Sequence, residues 1–262
     1  MKTLSSQPQP LNLLILADGK AGHMRQSRGL ALAIQRLQPC RIDTLELQPG
    51  PLWRRCWEAR RGCDRLPRPH LIIGAGHATH WPLLLLSRHC DAPSVLLMKP
   101  SLPACFFDLC LIPQHDWPRP ARLLDPHILL THGALNDLSA AAETIPGDLA
   151  PAETQPPKGL ILLGGDSKAF RLDAASLREA IATIIADPGT ADLQWHITDS
   201  RRSPADLLNS FRDLPATLHP HQQNSGNWLS QQIATSSITW VTEESISMIF
   251  EALSTPTRVG LL

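Results

Sequence analysis

The sequence predicts an α/β fold in two halves, each a parallel, doubly wound sheet. Short apolar runs of strand length recur along the chain, and helical stripes separate them. A proline-rich stretch without core residues divides the series near its middle.

Leu11–Ala17 (LNLLILA) is continuously apolar, the pattern of a strand covered on both faces. DGKAGH turns out of it. Leu30, Ile34 and Leu37 then recur at helical spacing until Pro39 ends the helix. Arg41–Leu47 reads as a second strand and Leu71–Ile73 as a third, followed by GAGHATH and the helix-like WPLLLLSR. Strands at Ser94–Met98, Asp108–Ile112 and Ile128–Leu130 complete the first half. Residues 139–158 hold four prolines and almost no large apolar side chain, which is linker composition. The alternation restarts at Gly159–Leu163 and runs through GGDSKAF. Asp173 then serves as N-cap of a helix that buries Leu177, Ile181, Ile184 and Ile185. Strands at Leu193–Thr198, Ala216–His219, Ile238–Thr242 and Arg258–Leu262 follow, with helices around 204–212, 227–234 and 243–254. The last helix is expected to bury Ile246, Ile249, Phe250 and Leu253. The boundaries expected are a first domain over 1–140, a linker over 141–158 and a second domain over 159–262.

A chain of 262 residues with 43% apolar and 18% charged side chains can bury one large core or two ordinary ones. Its 24 basic and 24 acidic side chains cancel, so attraction to nucleic acid or lipid must rest on a local patch. No nucleic-acid partner is expected. MKTLSSQPQP lacks the apolar core of a secretory signal, and no later run is long enough to span a bilayer. Six cysteines without a CxxC pair read as reduced thiols, which places the chain in the cytoplasm.

In open α/β sheets ligands sit outside the carboxyl ends of the strands, so the loops there carry the function. Gly164 and Gly165 of GGDSK let backbone N–H groups approach a phosphate, and Ser167 and Lys168 add a hydroxyl and a cation. The spacing is not that of an ATPase loop, and the alternative is an ordinary tight turn. GAGHATH lacks the full glycine pattern and downstream acid of a nicotinamide-binding turn. TEES offers N–H donors, hydroxyls and carboxylates, the mixture a sugar nucleotide needs, although acids in a first turn also complement the helix dipole. TDSRR places two arginine forks after a strand, suited to phosphate oxygens or to solvent. Eleven histidines form no zinc-type spacing, and no metal is expected. Residues 53–68 hold six arginines against two acids, with two tryptophans. Arg54, Arg55, Arg60 and Arg61 therefore suit an anionic membrane surface, the alternative being a solvated, partly amphipathic helix.

Together these loops resemble the mitochondrial fission protein family (the plant elongated-mitochondria protein and its bacterial relatives). The matching stretches are DGKAGHMRQSRGLA, IGAGHATHWPLLLL, MKPSLP followed by FDLCLIPQHD, HGALN, LLGGDSKAFRLD, TDSRR and VTEESISMIFEAL, in family order from residue 12 to the end. Two positions depart from the pattern: Lys99 where relatives carry an acid, and Asp166 where proline is common. The resemblance implies two Rossmann-like domains facing a cleft, a GT-B-like fold, with glycosyltransferase activity. In bacterial relatives this activity is associated with surface-polysaccharide or lipooligosaccharide assembly. Carried over, the donor side comprises Gly164, Gly165, Ser167, Lys168, Ser200, Arg201, Arg202, Glu244, Ser245 and Ser247. Lys20, Gly22, Gln26 and Ser27 face them as an acceptor-side loop, with His23 or Asp18 as the catalytic base. GT-B halves continue past the segment equivalent to RVGLL, so the second domain is expected to be incomplete at its end, with weakened transfer.

The function expected is transfer of a sugar from a nucleotide diphosphate-sugar to a glycan or lipid-linked acceptor. The nucleotide sugar is substrate and no cofactor or metal takes part. The location expected is the cytoplasm, with peripheral contact on the inner membrane face. The rival is a non-catalytic GT-B-like adapter acting at a membrane surface.

Overall fold

The computed structural model describes residues 10–117, 125–138, 156–166, 170–224 and 228–262. The linker expected over 141–158 falls almost wholly outside them, as do Ser167 and Lys168. The chain divides into two units, Met1–Ala140 and Ala141–Leu262.

The first unit runs β1 (Leu11–Ala17), α1 (Ala21–Leu37), β2 (Cys40–Glu46), α2 (Leu52–Cys63), β3 (Leu71–Ala75), α3 (His80–Cys90), β4 (Ser94–Leu97), β5 (Leu109–Pro113) and β6 (Ile128–Thr131). Every neighbouring pair is parallel, in the order β2-β1-β3-β4-β5-β6. The inner strands β3, β4 and β5 read as apolar runs because both faces of the sheet are covered there, whereas the edge strand β2 (CRIDTLE) carries polar residues. Leu14, Leu16, Ile72 and Leu96 pack with Ala59, Cys63, Leu83 and Leu86 of α2 and α3. The alternate set, Leu13, Ile15, Ile73 and Val95, packs with Leu30, Ala31 and Ile34 of α1. Leu37, assigned above to that buried stripe, is the last residue of α1 and is exposed.

The second unit runs β7 (Lys158–Leu162), α4 (Ala174–Ile185), β8 (Gln194–Thr198), β9 (Ala216–His219), α5 (Trp228–Thr235), β10 (Ile238–Val241), α6 (Ile246–Leu253) and β11 (Arg258–Leu261). The sheet is again parallel, in the order β11-β10-β7-β8-β9. Asp173 caps α4 as expected, its carboxylate accepting from the Ala175 N–H at 3.2 Å.

Two expected helices differ. The segment around 204–212 forms a 3-10 helix over Leu207–Phe211. The tighter turn between Pro204 and Pro215 still buries Leu207, Leu208 and Phe211. The last helix begins at Ile246, not 243, because Thr242, Glu244 and Ser245 bond to the loop after β7 or to one another. Its buried face is also not the one expected. Glu251 and Ala252 are inside, while Ile246 and Leu253 are 40% and 58% exposed. A helix of two turns takes its orientation from the loop that anchors it more than from its own stripe.

Candidate functional site

Strand order reverses between β1 and β3 in the first unit and between β7 and β10 in the second. Such reversals open a crevice at the carboxyl edge of a parallel sheet, because the flanking connections leave in opposite directions. The loops that follow these four strands are those that the sequence singles out.

In the first unit, Asp18 follows β1 directly, with its side chain only 3% exposed. Its Oδ1 accepts from the Lys20 N–H at 3.2 Å, and its Oδ2 lies 2.9 Å from Nδ1 of His23 in the first turn of α1. The imidazole rests on Gly76, which follows β3 with φ +82°. A Cβ there would lie 2.3 Å from Cε1 and 2.4 Å from Nδ1 of His23. The carboxylate thus orients the ring through Nδ1. Nε2 is left as the nitrogen with no hydrogen-bond partner among the described residues. Lys20 and Gly22 are exposed at the start of α1. Gln26 and Ser27 are not part of a loop. They lie inside α1, are 9% and 1% exposed, and pack in the interior of the unit, so their acceptor-facing role is withdrawn. Just beyond Gly76, His77 bonds to Ser101, and His80 is buried edge-on against Phe107. Burial, helped by His77, pushes the His80 imidazole down to about 4.

In the second unit the loops after β7 and β10 are bonded together. The Gly164 N–H donates to Thr242 Oγ1 at 2.8 Å, and the Gly165 N–H to Glu244 Oε1 at 3.0 Å. Thr242 passes its own hydroxyl hydrogen to the same Glu244 oxygen at 2.9 Å. Neither glycine could carry a side chain. A Cβ on Gly164 would fall 1.7 Å from Glu244 Oε1, and one on Gly165 would fall 2.1 Å from the Arg202 carbonyl oxygen. The two N–H groups read above as phosphate donors therefore hold Glu244 in place. Oε2 of Glu244 is buried and has no partner among the described residues.

Arg202 is exposed, and its guanidinium donates to Ser245 Oγ at 3.1 Å. Ser203 Oγ bonds the Gly164 carbonyl and takes the Ser200 N–H at 2.9 Å, which fixes the TDSRR turn beside the glycine loop. Arg201 and Ser247 are exposed and make no such link. Sequence reasoning singled out the loops TEES and GAGHATH but did not assign Thr242 or Gly76 within them, and it missed Ser203. It also missed Asp199, which is 8% exposed and takes the His221 N–H at 2.6 Å. A polar residue ending an apolar strand was the available signal for Thr242 and Asp199.

The fold is that of the GT-B class of glycosyltransferases and sugar-nucleotide epimerases. The E. coli heptosyltransferase WaaC, solved with ADP-2-deoxy-2-fluoro heptose, superposes with a TM-score of 0.56 at 11% identity, over 96% of this chain and 88% of that one. A glycosyltransferase from Rickettsia africae gives 0.55 at 11% identity, over 97% and 79%. The UDP-GlcNAc 2-epimerase from Neisseria meningitidis, bound to UDP-GlcNAc, gives 0.52 at 11% identity, over 96% and 82%. No curated protein matches by sequence. The family model described as Mitochondrial fission ELM1 matches residues 21–262, and the chain belongs to that family. No described helix is long and apolar enough to cross a membrane.

Proposed function

We propose that this protein is a glycosyltransferase that takes its sugar from a nucleotide diphosphate-sugar. The observation that carries the reading is Glu244. One carboxylate oxygen accepts from Gly165 and Thr242, and the other is buried without a donor among the described residues. A buried carboxylate oxygen left in that state costs free energy that a ligand hydroxyl would recover, and a ribose diol supplies such hydroxyls. Arg202 beside it, with Lys168 from the same glycine loop, would stabilise the leaving diphosphate by placed positive charge. Arg201, Ser200 and Ser247 belong to the same donor side.

In the first unit, the Asp18–His23 pair supplies the base. Asp18 fixes the tautomer with the proton on Nδ1, and Nε2 accepts the proton of an acceptor hydroxyl as that oxygen attacks the anomeric carbon. The anomeric bond to the diphosphate breaks as the new glycosidic bond forms. The acceptor is a glycan or a lipid-linked sugar, of the kind used in surface-polysaccharide or lipooligosaccharide assembly. The protein works in the cytoplasm, in peripheral contact with an anionic membrane.

A second reading, a non-catalytic adapter on the same fold, is favoured by one observation. The amides of Gly164 and Gly165 are already bonded within the unit. A thermal-shift panel of UDP-, ADP-, GDP- and CMP-linked sugars separates the two. A nucleotide sugar that binds the folded state raises the melting temperature, and the rise grows with the logarithm of its concentration above the dissociation constant. Stabilisation by one nucleotide class at micromolar concentration, lost in Lys168→Ala, supports the transferase. A flat panel supports the adapter.

A further inference from the structure

We propose that the first unit carries a docking surface for an anionic lipid bilayer, formed by α2 and the start of α3. Four of the ten exposed large apolar side chains among the described residues lie on these two elements: Leu52, Trp53, Trp57 and Trp81. Trp53 and Trp57 stand one turn apart on α2 and are 72% and 53% exposed, and Trp81 opens α3 at 49%. Indole rings with wet surroundings and no protein covering suit the headgroup level of a bilayer.

Charge says what covers them. The acids of the segment are engaged, Glu58 by Arg54 at 2.8 Å and Asp64 by His89 at 2.9 Å. Arg60 and Arg65 are exposed and make no ion pair among the described residues, and the Arg61 guanidinium lies 4.6 Å over the Trp57 ring. The result, among the described residues, is exposed tryptophan in the first half of α2 followed by unpaired arginine in its last turn and just beyond, in a chain whose total charge is zero. Arg55, grouped with these from sequence, belongs elsewhere. It is half-buried and donates to the Ala78 carbonyl oxygen at 3.2 Å, because its helical position faces α3.

The same contacts set the orientation. Cys63 Sγ lies 3.4 Å from Cys90 Sγ at the far ends of α2 and α3, and Arg55 reaches the residues before α3 at the near ends. The two helices therefore run parallel, and Trp53 and Trp81 share the end that follows the carboxyl edge of the sheet. Asp18, His23 and Gly76 lie at that edge. Arg60 and Arg61 stand in the last turn of α2 and Arg65 just past it, so a bilayer that meets both the tryptophans and the arginines lies along the outer side of the helix. The docking surface does not rest on the transferase reading.

The test is sedimentation of the full chain with vesicles of phosphatidylcholine, alone and mixed with phosphatidylglycerol, at rising salt. Binding to the mixed vesicles only, falling as salt screens the attraction, is expected. Replacing Arg60, Arg61 and Arg65 with Ser should lower partition roughly 100-fold, at about fivefold for each arginine. Brominated lipid should quench the tryptophan fluorescence of the natural chain and spare that of a Trp53→Ser, Trp57→Ser, Trp81→Ser variant. The single Trp57→Ser variant, with quenching cut in part, carries the same information if the triple one is unstable. The proposal is overturned by absent binding to mixed vesicles, by binding indifferent to the arginine changes, or by equal capture of duplex DNA in the same salt. No nucleotide enters this experiment, so its failure is separable from failure of the donor site, which is read without lipid.

Discussion

The amide of Gly165 donates to Oε1 of Glu244 at 3.0 Å, joining residues 79 positions apart in sequence. The contact exists because β7 and β10 are neighbours at the reversal of strand order, and because neither glycine projects a side chain into the gap. Adding one methyl group at Gly165 would place a carbon against the Arg202 backbone, which cannot swing away as a side-chain tip would. Gly165→Ala should therefore lose about 1–3 kcal/mol or more, as overpacked sites do. Urea unfolding reads this directly. An unchanged midpoint would mean that the loops are looser than described.

Gly76 plays the matching part in the first unit. Its φ of +82° is strained for any residue with a side chain, and a methyl group there would enter the His23 ring. Gly76→Ala should displace the imidazole from Asp18 and lower turnover of a nucleotide sugar, while leaving donor affinity as it was. Equal loss of affinity and turnover would place Gly76 outside the role of positioning the base.

Asp18→Asn and His23→Gln should each slow turnover by about 10²–10⁴-fold, the usual contribution of a positioned base. The two losses should not add, because Asp18 acts through His23. Rates from the two single variants and the double variant decide this. Full additivity would show that the carboxylate acts on its own.

His80 makes stability depend on pH. The unfolded chain takes up its imidazole proton near pH 6.5, whereas burial delays uptake in the folded chain to about 4. Stability therefore falls as pH drops through that window and levels off below it, with about 2 kcal/mol lost by pH 5. His196 and His219, lowered mainly by burial, act in the same direction. Denaturation midpoints of the natural chain and of His80→Leu at pH 8 and pH 5 isolate the His80 share. The variant should show the shallower dependence, and an equal slope in both would refute it.

The inner strands were legible in the sequence because parallel strands covered on both faces are apolar at nearly every position. Leu11–Ala17 and Ala216–His219 agree residue for residue. The short helices were less legible. Two turns carry too few positions to define a face, as the exposed Ile246 and the buried Glu251 show. Glu244, Arg202, Asp18 and His23 were legible as strand-end polar residues, but their partners were not. The bond from Gly164 to Thr242 depends on strand order, and the position of His23 depends on the sign of φ at Gly76. Periodicity encodes neither. Gln26 and Ser27 misled because they continue a glycine-rich loop motif into a helix that begins at Ala21.

The central claim is that Glu244 receives the ribose of a nucleotide sugar on Oε2, the oxygen without a partner among the described residues. Glu244→Gln is the cleanest probe, because the amide oxygen can still accept from Gly165 and Thr242 while the amide nitrogen replaces Oε2 with a donor. Calorimetric titration of the nucleotide sugar that stabilises the natural chain should show affinity reduced about 10- to 100-fold in the variant, the worth of a hydrogen bond to a charged group. The circular dichroism and melting temperature without ligand should stay close to those of the natural chain. Unchanged affinity in a folded Glu244→Gln protein would contradict the account.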